Sequence, residues 1–232
     1  MKPKGVAASF NCAIEGILWS VRTQRHMRYH MLVAVVLLLV ALFFHVSALE
    51  FILLVFAVVL VFMAELVNTS LEVVVDLVSP EYHPLARRAK DVAAGAVLVA
   101  CIGAAVMGYL ALSHYFFPMD QNGLPILARP PGELAVVSVL TVTILVVLLK
   151  TGARRGRPLH GGMPSGHAAF AFSVAISIVY SEAGPILSLL AIVLAAMVSQ
   201  SRVFLKIHSI AEVLAGAMLG AGVTALLYLC FG

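Results

Sequence analysis

Apolar residues run through this chain in long uninterrupted stretches separated by short polar breaks, a pattern that predicts buried or membrane-embedded helices. A bilayer core of ~30 Å takes about 20 helical residues. Against that length, seven apolar segments predict spanning helices, at about residues 29–46, 49–78, 92–113, 134–149, 165–181, 185–203 and 207–231. Residues 1–30 have another pattern. Phe10, Ala13, Ile14, Ile17, Leu18 and Val21 recur at three- and four-residue steps, with Arg22, Arg25 and Arg28 at the polar end. That predicts an amphipathic helix lying in a membrane interface. No apolar core with a small-residue cleavage site occurs there, so a signal peptide is not expected. Pro118, Asn122, Gly123, Pro125, Pro130 and Pro131 mark residues 114–133 as a loop. The expected fold is an all-α polytopic membrane protein: an interfacial helix, a three-helix bundle over residues 1–113, an extracytoplasmic linker at 114–133 and a four-helix bundle over 134–232.

Composition agrees. Of 232 residues, 62% are apolar and 11% charged, which excludes a soluble globular domain, disorder, collagen and coiled coil. Cys12, Cys101 and Cys230 are far apart and odd in number, suggesting neither a disulfide framework nor a zinc site. The pI of 9.1 would suit nucleic acid, but hydropathic chains collect cations in cytoplasmic loops, so no nucleic-acid partner is expected. With the N-terminus inside and seven crossings, Lys2, Lys4, Arg22, Arg25, Arg28, Arg87, Arg88, Lys90, Lys150, Arg154, Arg155, Arg157, Arg202 and Lys206 fall on the cytoplasmic side. Only Arg129 falls outside.

Five acidic residues, Glu65, Glu72, Asp76, Glu81 and Asp91, lie close together, three of them in or at the end of an apolar helix. A charge at membrane depth costs a few kcal/mol and by default marks function. At 100° per residue, Glu65, Asn68, Glu72 and Asp76 fall within about 80° of one another, making one polar stripe. Such oxygens suit Mg²⁺. The stripe alone is equally a proton or ion pathway, as in a transporter or channel, or a hydrogen-bonded packing seam.

The surrounding words, ELVNTSLEVVVDLV followed by EYHPLARRAKDVAAGAVL, resemble the prokaryotic diacylglycerol kinase and undecaprenol kinase family, three-helix membrane enzymes that phosphorylate a lipid alcohol with MgATP. The likeness covers about residues 9–112. It implies Glu65 as the base toward the lipid hydroxyl, Glu72 and Asn68 as Mg²⁺ ligands, and Lys90, Asp91 and Asp76 as nucleotide contacts. It also implies a homo-oligomer, as in the trimeric kinases. Phosphoryl transfer by a metal, a lysine and one carboxylate needs no Walker loop, and none is present. One position departs. Where the family has a carboxylate as second metal ligand, this chain has Gln24, a neutral oxygen, which predicts weaker metal binding and a kinase half that is slow or serves only as scaffold or regulator. Glu15 is nine residues earlier, with no geometric reason to substitute.

A second set of polar blocks sits at helix ends: Lys150 and Arg157-Pro158, then Pro164-Ser165-Gly166-His167, then Ser201-Arg202 and His208. Converging cations ask for a phosphate, and Arg offers the fork that matches its oxygens. Ser165 and Gly166 open a helix, whose free N–H groups favour an anion. Two histidines supply a nucleophile and a proton donor. These blocks resemble the type 2 phosphatidic acid phosphatase family, metal-independent membrane enzymes acting on lipid phosphates and diphosphates, over about residues 134–232. The resemblance implies that His208 attacks phosphorus, His167 protonates the leaving group, and Lys150, Arg157, Ser165, Gly166 and Arg202 hold the phosphoryl oxygens. The nucleophile's orienting carboxylate, usually Asp, is here Glu212.

Smaller features read as structural. Gly216 and Gly220 in the last helix, and Gly95, Gly103 and Gly108 in the third, permit close helix contacts; Trp19 and Tyr29 suit an interface anchor; His160 reads as loop. The chain is thus expected to be a bifunctional enzyme of a bacterial inner or plasma membrane, with both sites cytoplasmic. Mg²⁺ and ATP would serve the kinase half, and no cofactor the phosphatase half. Undecaprenol and undecaprenyl diphosphate are the favoured lipids, because both reactions then yield undecaprenyl phosphate; diacylglycerol and phosphatidate are the alternative pair.

Overall fold

The computed structural model describes residues 5–116, 132–153 with side chains to Lys150, 162–181 and 183–231. All regular structure among these residues is helical: α1 (Val6–Thr23), α2 (Arg25–Phe43), α3 (Ala48–Val78), α4 (Pro84–Phe116), α5 (Glu133–Ala153), α6 (Gly166–Tyr180), α7 (Pro185–Phe204) and α8 (Ile210–Phe231). They form two compact units, α1–α4 and α5–α8, divided between residues 131 and 132.

Six helices, α2, α3, α4, α5, α7 and α8, are long and apolar enough to cross a membrane. The seventh expected crossing, α6, has 15 residues. At 1.5 Å per residue it spans about 22 Å, short of a ~30 Å core. It packs along α7, which returns to bring Arg202 near His167 at the start of α6. Small residues explain how a short helix sits at the centre: Ala168, Ala169, Ser173 and Ala175 are fully buried against α5, α7 and α8.

Other expected bounds shift for electrostatic reasons. The third crossing begins at Pro84 rather than residue 92, so Arg87, Arg88, Lys90 and Asp91 occupy the first turns of a 33-residue helix. About 50 Å of helix exceeds the hydrocarbon thickness, and the surplus turns carry these charges. Likewise the interfacial helix stops at Thr23, and Arg25 and Arg28 belong to α2. His208 lies in the loop before α8, not inside a helix. The expected linker falls largely on residues 117–131, outside the described residues, as do Arg129, Arg154, Arg155, Arg157 and His160.

In the first unit, Ala41, Leu54, Ala111 and Leu112 form a core between α2, α3 and α4. Ser47 caps α3 in a capping box with Glu50, whose carboxylate also accepts from Tyr115 Oη at 2.8 Å, fastening the start of α3 to the end of α4. Most other long apolar side chains, such as Leu39, Val59 and Leu98, point outward, as lipid requires. Gly95, Gly103 and Gly108 meet no neighbouring side chain or helix within their unit, so the packing role expected of them is not filled there.

In the second unit, Val142, Val146 and Ala169 pack with Leu219 and Val223. Gly216 and Gly220 do what the sequence predicts: a Cβ on either would collide with the backbone of α6, at Ser165 and Ala169 respectively. Below this contact Ser173 and Thr224 share a buried 2.7 Å hydrogen bond. Gly222, two residues on, faces open space. Gly220→Ala should therefore lower the thermal midpoint of the detergent-solubilised protein, by an overpacking penalty of about 1–3 kcal/mol, whereas Gly222→Ala should hold or raise it. Equal midpoints for the two variants would refute the close contact of α6 with α8.

Candidate active sites

The polar stripe of α3 forms the first site. Gln24 ends α1 and precedes α2, with extended backbone (φ −100°, ψ 121°) and its N–H bonded to the Ser20 carbonyl at 2.8 Å. From this break its side chain reaches α3, where Nε2 donates to Glu72 Oε2 at 3.3 Å. Asn68 Nδ2 donates to the other oxygen, Oε1, at 3.2 Å. Gln24, Asn68 and Glu72 are therefore one cluster, although Gln24 is 48 residues from Glu72 in sequence. One turn further along α3, Asp76 pairs with Lys90 of α4. Glu65 lies deeper, 3% exposed. Asp91 does not join this group; it is exposed and 3.9 Å from Arg87 on its own helix. Glu15 is exposed and makes no contact with Glu72.

Two side chains that the sequence reading missed belong near this stripe by burial. Thr69 and Ser20 are fully enclosed, and their hydroxyls have no partner; nor does Asn68 Oδ1. Buried polar atoms are ordinarily bonded, so these three have bonding capacity that a polar ligand or water would satisfy. The only sequence signal was position, Ser20 one turn before Gln24 and Thr69 beside Asn68. Turning either amide half a rotation replaces its N–H₂ by an oxygen beside Glu72. The donor set would then be the hard oxygens that Mg²⁺ prefers. Among the described residues no three His, Cys, Asp or Glu side chains converge into an all-protein metal cage, and Mg²⁺, which keeps several waters, does not need one.

The second site gathers at one end of α5–α8. Lys150 stands in the last turn of α5, and Ser165 is the N-cap of α6, completely buried. Gly166 opens α6; a Cβ there would make ordinary contact with Val146, so packing within the unit does not demand glycine. His167 feels the charges of Arg202, His208 and Lys150 together. Arg202 ends α7 in a Schellman motif: Ile207 N–H reaches the Arg202 carbonyl at 3.1 Å and Lys206 N–H the Val203 carbonyl at 2.9 Å, with Lys206 left-handed at φ 55°. The same Arg202 carbonyl also accepts from His208 N–H at 3.2 Å, which places the nucleophile candidate directly after the turn.

His208 is buried, and its Nδ1 lies 2.9 Å from Glu212 Oε2. A carboxylate can only accept, so Nδ1 carries the proton, and in the neutral imidazole the lone pair is on Nε2. Ser165 Oγ and Arg202 Nε are buried and bonded to no other described residue. All the sequence-chosen residues of this site that lie among the described residues are thus brought together. Arg157 lies outside them.

Comparison with known proteins divides the chain at the same place. Residues 11–112 match the family model described as Prokaryotic diacylglycerol kinase, and residues 132–232 the PAP2 superfamily. The diacylglycerol kinase of Synechocystis sp. is 44% identical over 101 residues, 43% of this chain and 58% of that relative. The undecaprenol kinase of Bacillus subtilis is 36% identical over 102 residues, covering 44% of this chain and 83% of the relative. The diacylglycerol kinase of Escherichia coli is 40% identical over 85 residues, 36% and 70% respectively. No solved structure matches the chain. With the carboxylate stripe of α3 in the first matched segment and the histidine–cation cluster of α5–α8 in the second, the chain belongs to the prokaryotic diacylglycerol kinase family and carries, fused behind that lipid-kinase domain, a lipid-phosphatase domain of the PAP2 superfamily.

Proposed function

We propose that the chain phosphorylates undecaprenol with ATP through its first unit and dephosphorylates undecaprenyl diphosphate through its second, so that both reactions yield undecaprenyl phosphate. The observation that carries the reading is the fusion itself, with both polar clusters assembled. A kinase and a phosphatase opposed on one lipid would run a futile cycle, whereas this pairing converges on one product. The relative named undecaprenol kinase supports it. Relatives named diacylglycerol kinase favour a second pair, diacylglycerol and phosphatidate. Radiolabelled transfer from ATP to a panel of lipid alcohols separates the two, and no labelled lipid at all would leave the first unit a scaffold.

In the kinase reaction Glu65 accepts the proton of the lipid hydroxyl, whose oxygen attacks the γ-phosphorus as the bond to ADP breaks. Lys90, Asp76 and Asp91 bind the nucleotide. Glu72, Asn68 and Gln24 would hold Mg²⁺, which when bound neutralises phosphate charge. In the phosphatase reaction, which uses no metal, His208 Nε2 attacks the terminal phosphorus and His167 gives its proton to the departing oxygen. Water, deprotonated by His167, then cleaves the phosphohistidine and releases phosphate. Lys150, Arg157, Arg202, the Ser165 hydroxyl and the Gly166 N–H carry the phosphoryl charge. A homo-oligomer would give the open glycines of α4 a helix to pack against.

Gln24→Glu should lower the Mg²⁺ concentration for half-maximal kinase activity, because a second carboxylate beside Glu72 adds charge attraction for the ion. An unchanged Mg²⁺ curve would remove Gln24 from the metal site.

His208→Ala should abolish phosphate release to background, since no neighbouring group replaces the attacking nitrogen. Chelator added to the unaltered protein should leave phosphate release intact. Full turnover by His208→Ala, or its loss on chelation, would contradict the phosphatase assignment.

Both sites are proposed to face the cytoplasm, on helix parity and on the cations outside the proposed machinery, ten inside against Arg129 alone. In a background lacking Cys12, Cys101 and Cys230, Leu205→Cys should resist an impermeant thiol reagent applied to intact cells, while Ser181→Cys, at the far end of the α6–α7 hairpin, should label. Labelling at 205 from outside would place the phosphatase site on the outer face.

A further inference from the structure

Glu212 is held at several points, the Gly162 backbone among them, and only one of them is the histidine. Its Oε2 accepts from His208 Nδ1 at 2.9 Å and from the Ser209 N–H at 3.1 Å. Its own N–H donates to Ser209 Oγ at 3.3 Å, and its carbonyl accepts from the Ser165 N–H at 2.9 Å. The two bonds exchanged with Ser209 are reciprocal, and the Ser209 carbonyl takes the first bond of α8, from Val213 at 3.1 Å. Ser209 and Glu212 are therefore the N-cap and third residue of a capping box, and the oxygen that closes the box is the one that holds His208.

We propose that Ser209 is a positioning residue of the phosphatase: by locking Glu212 in the capping box it fixes the carboxylate oxygen that orients the nucleophile. The inference rests on the reading of His208 as nucleophile. A glutamate has several rotatable bonds and would lose their freedom each time it steadied the imidazole. Bonded to Ser209 at both its N–H and its carboxylate, it is ordered before substrate arrives, and the reacting nitrogen needs no search for its geometry. The box also accounts for glutamate at this position. A third-position side chain must reach back over a full turn to the cap's N–H, and the glutamate here does so with the same oxygen that meets the histidine. Through its carbonyl the same residue sets the N–H at Ser165, so nucleophile and phosphate-binding turn share one anchor. Ser209 is exposed, so removing its hydroxyl leaves no buried orphan and the variant folds.

The test is rapid-quench measurement of acid-labile phosphohistidine in the full chain, using a prenyl diphosphate labelled in its terminal phosphate. Burst amplitude counts competent sites, and burst rate reads their geometry. Ser209→Ala keeps the backbone N–H bond to the carboxylate and loses the hydroxyl's bond to the Glu212 N–H. It should slow the burst about fivefold, on the scale of a lost N-cap side chain, with amplitude and KM retained, and Ser209→Thr should restore it. In a Glu212→Ala background Ser209→Ala should add almost nothing, because its effect runs through Glu212. An unslowed burst in Ser209→Ala, or an equal slowing with and without Glu212, would overturn the positioning role while leaving His208 as nucleophile. No phosphohistidine in the unaltered chain would instead overturn the nucleophile reading, and this inference with it.

Discussion

An ionised side chain in hydrocarbon is expensive unless it is paired or close to water. That cost arranges this protein. Lys90 and Asp76 meet at helix ends, where α4 and α3 run past the length a bilayer needs. In the second unit Lys150, Arg202, His208 and Glu212 all sit in the first or last turn of a helix or in the loop beside it. Buried Glu65 is the exception.

Within each unit the polar cluster depends on apolar helices packing closely enough to carry it. In the second, Gly216 and Gly220 let α8 lie on the backbone of α6. That contact is what brings the Glu212 carbonyl within 2.9 Å of the Ser165 N–H. In the first unit the break in helix at Gln24 does the equivalent work, turning the chain between α1 and α2 so that an amide from one end of the unit meets a carboxylate of α3. Backbone geometry and small residues set these sites as much as the charged side chains do.

Neutral Gln24 also changes how the first cluster rests. Glu72 receives amide N–H bonds on both oxygens, so the carboxylate is satisfied without a cation. A second carboxylate in place of Gln24 would repel Glu72 until a metal arrived. At the proposed Mg²⁺ site a neutral amide would hold the ion less strongly than a second carboxylate.

The sequence by itself determined the helical class and the two matched segments, and it named Gln24, Asn68 and Glu72 in one cluster and His208 and Glu212 in the other. Hydropathy, charge sidedness and motif spacing are properties of residue type and order, and the bilayer's thickness converts them directly into helices and ends. It could not show that α6 is too short to match its neighbours, because burial by small residues depends on which helices surround it. It misplaced the starts of α2 and α4, since charged residues continue a helix beyond the apolar run that defines a span. Ser20 and Thr69 were invisible as site residues for the same reason: an isolated hydroxyl acquires meaning only when packing encloses it. The capping box that joins Ser209, Glu212 and His208 was written in order as Ser-x-x-Glu. That its closing oxygen is also the histidine's partner was decided by the fold of the loop, through a backbone turn at Lys206 that no pattern of residue types announced.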